Sequence, residues 1–272
     1  MINALCGWIE NIKWTEMATI LSMCFVAWQT LLLRKTYQYN CDWQGKEKAA
    51  ELAAEYKDSI LPSIGYIGAV LKGTGTMDVL RDIHADNIDQ FNQTELFRLT
   101  SSRITEEVNK VRENRDMIGL LLANRTRFGQ IYNKRLHSIS EALIDKWYRA
   151  RDKVKDRDGN EVQITQGEER ALLDALWYEY GSIVSDTLNN LEYFAMHFVS
   201  GVADDTVIFQ SLHQTYLAIV QMLYYNIAVQ NVHEKDKYYT NVICLYKKWY
   251  DMDIKNERKI SNAISRVRPV RK

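Results

Sequence analysis

The stretch TILSMCFVAWQTLLLRK, from Thr19 to Lys35, decides how the rest of the chain is read. It is apolar and stops at two adjacent cations. From Met17 to Leu33, seventeen residues carry no charge. As a helix they cover about 25 Å, at the short end of what crosses a hydrocarbon layer. Trp14 and Trp28 flank or enter the run, and Tyr37 and Tyr39 follow it. Such side chains, with one wet end and one dry end, suit the headgroup level. Arg34 and Lys35 close the segment, whereas Glu10, Lys13 and Glu16 precede it with a net charge of −1. The positive-inside bias therefore places the C-terminal body in the cytoplasm. A secretory signal carries its cations ahead of the apolar part and a small-x-small cleavage site behind it. Here the order is reversed and no such site follows, so residues 1–36 read as an uncleaved membrane anchor. The competing reading is a buried core helix, because Thr19, Ser22, Gln29 and Thr30 dilute the hydrophobicity.

Those polar residues are grouped. At about 100° per residue, Gln29, Ser22, Thr19 and Thr30 fall within an arc of roughly 100° on one helix face. Hydrocarbon does not solvate hydroxyls and amides, so this face is expected to meet another helix or water. With one candidate span in the chain, that helix has to come from a second copy, and a homo-oligomer is expected. The alternative is that the side chains bond back to their own helix.

Composition agrees with a helical body behind the anchor. Apolar residues make up 46% and charged residues 26% of the 272-residue chain, which excludes wholesale disorder. Two prolines, Pro62 and Pro269, and twelve glycines leave long stretches without helix breakers. A β fold needs far more turn residues, so the expected class is all-α. Thirty-five basic and 35 acidic residues cancel, which excludes whole-molecule steering toward nucleic acid. Cys6, Cys24, Cys41 and Cys244 form no Cys-x-x-Cys pair and read as reduced thiols.

The helical domain is expected over 37–254, with a turn or loop near 154–166. GKEKAAELAAEYKDSIL continues the anchor helix until Pro62 interrupts it. Gly73 and Gly75 punctuate a loop, but the Gly-Lys-Ser/Thr of a phosphate loop is missing. From Thr94 to about Lys153 the chain reads as long helix, broken at most near Ser101, with a charged first half from Arg103 to Arg115. Asp158-Gly159 signals a tight turn, with EVQIT extended after it. Asp156, Asp158 and Asn160 invite comparison with a calcium loop, yet Glu161 and Gly167 stand where that loop needs Gly and Glu. Thr165 and Glu168 form a capping box for the next helix. In that helix Leu188, Leu191, Ala195 and Phe198 make one apolar stripe, which Gly201 ends. Asp204 or Asp205 caps a helix apolar on most sides, and YYTNVICLYKKWYDM forms a last one. The two antiparallel helices joined at Gly201 are expected at the heart of the bundle. The segment 255–272 reads as a separate basic tail carrying Arg258, Lys259, Arg266, Arg268, Arg271 and Lys272. Such a tail suits the inner leaflet, or a protein or nucleic-acid partner.

Motifs for chemistry are missing. There is no Gly-x-Ser-x-Gly elbow and no His-Glu-x-x-His. His84, His137, His197, His213 and His233 are dispersed. Arg81 with His84 and Arg135 with His137 stand too close for the Arg–His pair of helical RNases. His197 and His213, near one turn with Glu192, Asp204 and Asp205, are the candidate metal or acid–base group, against the plainer reading of hydrogen-bonded structural histidines.

Two segments carry a resemblance. ELAAEYKDSILPSIGYIGAVL, closed by FNQTELFRL, and LNNLEYFAMHFVSGVADDTVIFQSLHQTYL resemble an uncharacterised bacterial family. The likeness rests on apolar spacing with Pro62, Leu188, Asn189, Leu191, Glu192, Gly201 and Asp205. It implies one N-terminal transmembrane helix before a cytoplasmic all-helical domain, and supplies no catalytic residues. Its layout is related to membrane effectors of bacterial antiviral defence.

The expectation is thus an all-α, single-span, oligomeric membrane protein that perturbs the bilayer in an abortive-infection role. Alternatives are a membrane-tethered adaptor without enzymatic activity and, behind it, a nuclease with a diffuse site. No catalytic residue, metal or cofactor is expected; a second copy and the lipid bilayer are the expected partners.

Overall fold

The computed structural model describes residues 14–81, 116–132, 139–231 and 237–267. The fold is all-α. Among the described residues the only β pairing is an isolated antiparallel bridge between Lys155 and Glu161. The elements are α1 (Trp14–Glu55), a π-helical turn (Tyr56–Ile60), α2 (Leu61–Gly73), α3 (Thr76–Arg81), α4 (Asp116–Tyr132), α5 (Glu141–Arg151), α6 (Gln166–Val199), a 3₁₀ turn (Asp205–Val207), α7 (Phe209–Asn231) and α8 (Thr240–Val267).

Pro62 does not end the first helix. From Met17 to Gly73 the backbone is one helical rod of 57 residues, about 85 Å long. Proline lacks an N–H and its ring collides with the carbonyl four residues back, here that of Asp58. The wider π turn at Tyr56–Ile60 absorbs that conflict, and Pro62 sits in the first turn of α2, where an N–H is dispensable. The expected boundary at residue 36 therefore falls inside continuous helix.

Burial along the rod begins abruptly. Ala49, Leu52, Tyr56 and Ile60 are buried at three- and four-residue spacing, followed by Tyr66, Ile67 and Val70. These side chains run antiparallel to α6: the Tyr56 ring lies 4.9 Å from Phe194, and Tyr66 lies 6.1 Å from Tyr180.

The centre of the body differs from the expected α6–α7 pair. The stripe Leu188, Leu191, Ala195 and Phe198 is buried as read, but α8 is the main partner of both α6 and α7. Trp249 of α8 is fully buried, with ring centroids of Tyr216 at 5.0 Å, Phe209 at 6.0 Å, Phe198 at 6.1 Å and Phe194 at 6.4 Å. An indole is the largest apolar plate available, and it fills the space between α6 and α7 that their smaller residues leave. The turn joining α6 and α7 has Gly201 at φ +74°, the left-handed conformation that ends a helix at least cost in glycine. Asp204 then accepts from the Thr206 N–H at 3.0 Å to start the 3₁₀ turn.

The long helix read from Thr94 to Lys153 is divided. Its part before Asp116, including Arg103–Arg115, lies outside the described residues. Ser140 takes an extended conformation (φ −62°, ψ 116°) and starts α5 as a separate helix. The Asp158-Gly159 turn forms as expected: Asp156 Oδ1 accepts from the N–H groups of Asp158 and Asn160, both at 2.9 Å, and Gly159 has φ +81°. The extension after it amounts to the single Lys155–Glu161 bridge.

The Thr165–Glu168 capping box is complete, and Lys146 of α5 reaches both Glu168 oxygens, at 2.7 and 2.8 Å. The Lys146 ammonium, then the Thr165 N–H and hydroxyl, pull the Glu168 carboxyl down to about 2. A depressed carboxylate stabilises the fold above its ordinary value near 4.5, and that contribution disappears as pH falls through about 2. A carbon-detected titration of Glu168 is expected to give a midpoint of about 2, with α6 fraying at its N-terminus below it. A midpoint of about 4.5 would show that the box and the Lys146 bridge do not persist in solution.

Candidate functional site

The candidate site is the end of the body from which α1 projects. One helix in the described chain is long and apolar enough to cross a membrane, and none of its apolar stretch is buried. A core helix would be covered by its neighbours; here Ile20, Leu21, Phe25, Val26, Leu31 and Leu33 are all exposed. Arg34 and Lys35 close the stretch on exposed positions, and Trp28 is exposed within it. The Trp14 backbone is helical, while its side chain lies outside the described residues.

The polar face is sorted by its hydrogen bonds. Ser22 Oγ donates to the carbonyls of Ala18 at 2.9 Å and Thr19 at 3.0 Å, and Thr30 Oγ1 donates to Val26 at 2.8 Å. Hydroxyls on short side chains reach the carbonyl one turn back without leaving the helix surface. Gln29 is exposed and has no hydrogen-bond partner among the described residues. The polar demand of this face is therefore concentrated in one amide.

About 15 Å beyond Lys35 along the helix, α1 meets the body at Gly45. The Asp204 N–H donates to the Gly45 carbonyl at 3.0 Å. A Cβ at Gly45 would lie 3.7 Å from both Asp204 N and the Val202 carbonyl, an ordinary van der Waals contact between the rod and the turn. Tyr37, Tyr39 and Trp43 are exposed between the apolar stretch and this seat, and Val202 and Val207 are exposed on the turn itself. Sequence reading missed Trp43 and the Gly45–Asp204 seat. The aromatic spacing after Lys35 signals the first, and no local pattern announces the second.

The acidic and histidine residues around the turn are not gathered into one site. They fasten α8. Glu192 accepts from the N–H groups of Asn241 at 3.2 Å and Val242 at 3.0 Å and from the Asn241 side chain at 2.7 Å, capping the first turn of α8 from a neighbouring helix. Asp205 Oδ2 accepts from Lys248 Nζ at 2.6 Å and from the Trp249 indole at 3.3 Å. His213 Nε2 faces Asp253 Oδ1 at 3.2 Å, while its Nδ1 meets the Phe209 carbonyl at 2.6 Å. His197 Nδ1 instead meets the Tyr193 carbonyl of its own helix at 2.9 Å. Among the described residues, no group of three or more His, Cys, Asp or Glu is placed to hold a metal ion. His84, His137 and His233 lie outside the described residues.

Glu192→Ala removes a charged cap from α8. The expected cost is about 2 kcal/mol, read as a lower denaturation midpoint with faster amide exchange at Asn241 and Val242. An unchanged midpoint would mean that water replaces the carboxylate without loss.

An open cavity of about 640 Å³ lies elsewhere, between α4, α5, the turn closed by the Lys155–Glu161 bridge and the start of α6. Trp147, Arg151, Lys153, Glu161 and Glu169 line it, a mixed-charge wall without a convergent reactive group. The segment expected as a basic tail continues α8 as helix to Val267. Arg258 and Lys259 are exposed on it, the Arg266 side chain lies outside the described residues, and so do Arg268, Arg271 and Lys272.

No protein-family model matches the chain, and no curated protein or solved structure matches it.

Proposed function

We propose that this chain is a single-span protein of the bacterial inner membrane whose helical body stands in the cytoplasm. It self-associates through α1 and acts as an antiviral effector that perturbs the bilayer. One observation carries the reading: the apolar stretch of α1 is wholly exposed on a rod whose other end is built into the core. An uncovered surface of that size is unfavourable in water and favourable in hydrocarbon. Because the rod is continuous into the core, anchor and body move together. Arg34 and Lys35 at the end of the apolar stretch support a cytoplasmic body through the positive-inside bias.

Self-association rests on Gln29. An amide in hydrocarbon gains on the order of 1 kcal/mol by pairing across helices, and the same residue on a second copy is available. Gln29→Leu is expected to weaken the oligomer about fivefold or more, measured by sedimentation in detergent micelles. Unchanged association would assign the interface to another face.

Fractionation of the full-length protein beside a form starting at Thr36, with alkaline washing, tests the anchor. Only the full-length protein is expected to stay in the washed membrane; release of both would reject the span. Induced expression with a membrane-potential dye tests the effector role. Depolarisation supports it, and an intact potential under viral challenge rejects it.

A further inference from the structure

The C-terminal half of α8 leaves the body at the same end as the anchor. Helix α1 runs antiparallel to α6, with Gly45 at Asp204 and Tyr56 at Phe194. Helix α8 runs parallel to α6, with its first N–H groups at Glu192 and Trp249 at Asp205 and Phe198. The N-terminal half of α1 and the C-terminal half of α8 therefore point the same way. Burial along α8 fades from Trp249, through half-buried Met252 and Asp253, to exposed Lys255–Lys259.

Both projections start from one level of the body. Trp249 and Gly45 meet the same turn, at Asp205 and Asp204, and from Trp249 the α8 backbone runs about 27 Å to Val267. From Leu33 to Gly45, α1 spans about 18 Å between the apolar stretch and its seat on the body. A helix leaving this end over that distance reaches the depth of Arg34 and Lys35.

Its pattern states what it meets there. Ile260, Ala263, Ile264 and Val267 fall within an arc of about 100°, continuing the register of buried Val242, Leu245, Tyr246 and Trp249. Lys255, Arg258 and Lys259 are exposed on the opposite side. Over 255–272, seven basic residues face only Glu257, a net charge of +6. Binding to a nucleic-acid backbone needs the charge and has no use for the stripe. An anionic lipid surface uses both, with apolar side chains at the acyl boundary and cations among the headgroups.

We propose that the C-terminal half of α8 is a second membrane contact, an amphipathic basic helix that docks on anionic lipid of the leaflet from which α1 emerges. This rests on the reading of α1 as a span. With two attachments the body is held at a set tilt over the bilayer, where one flexible point would let it swing.

Hydrogen exchange on the full-length protein in nanodiscs tests this, comparing zwitterionic lipid alone with lipid containing phosphatidylglycerol. Amides of 255–267 are expected to slow about tenfold or more with the anionic lipid, and to recover in high salt. The triple variant Arg258→Gln, Lys259→Gln, Arg266→Gln is expected to lose that protection, each charge being worth about fivefold. Equal exchange in the two bilayers, with 17–33 protected, overturns the lipid contact and leaves the span standing. Unprotected 17–33 overturns the span and this contact with it. Protection of 255–267 by a nucleic-acid duplex, and not by anionic lipid, overturns the lipid assignment in favour of a nucleic-acid one.

Discussion

Trp249→Ala is expected to cost the body about 4 kcal/mol, between a quarter and most of the stability of an ordinary domain. The indole is fully buried, meets four aromatic rings from α6 and α7, and donates to Asp205. Truncation removes that contact area and leaves a cavity that rigid neighbouring rings collapse into only partly. Lys248 still holds Asp205 at 2.6 Å, so the carboxylate keeps one partner and the loss is chiefly one of packing. Trp249→Phe, which keeps a ring in place, is expected to cost less than half as much. Chemical denaturation of the detergent-solubilised protein decides the matter. A loss below about 1 kcal/mol would mean that α8 is not the wedge between α6 and α7.

On the proposed span, Phe25→Arg is expected to act on insertion alone. Phe25 lies at the middle of the uncharged run from Met17 to Leu33 and is exposed, so it supports nothing in the body. Replacing an apolar residue by arginine at the centre of a span costs about 3 kcal/mol, roughly a hundredfold in the insertion equilibrium. The run is at the short end for a span and is diluted by Thr19, Ser22, Gln29 and Thr30, so it has little reserve. The variant is expected to wash out of membranes at alkaline pH with an unchanged denaturation midpoint for the body. Trp249→Ala should do the reverse, staying in the membrane with a weakened body. A Phe25→Arg protein retained in washed membranes would show that another surface holds the chain there.

Much of the fold is written locally. The Thr165–Glu168 box, the Asp158-Gly159 turn, the glycine stop at Gly201 and the stripe from Leu188 to Phe198 each depend on residues within a few positions of one another. Their spacing states the hydrogen bonds and faces that result. Of the candidate site, the exposed apolar run and its closing cations were legible for the same reason. The fate of the polar face was legible only as two alternatives. Hydroxyls close on their own helix when their reach allows, as Ser22 and Thr30 do, and Gln29 has no such bond.

The sequence by itself determined that the chain is helical, where several helices begin and end, and that one run is apolar enough to cross a membrane. These follow from propensity, capping and charge, which act over a turn or two. Only the tertiary structure decided that the π turn at Tyr56–Ile60 lets the rod pass Pro62 unbroken, and that α8 lies between α6 and α7. It also decided that Glu192, Asp205 and His213 are used to fasten α8. Such outcomes depend on which surfaces far apart in the chain fit one another. A buried indole or a carboxylate that caps a distant helix leaves no periodic mark near its own position. Its partner is set by the packing of the whole body.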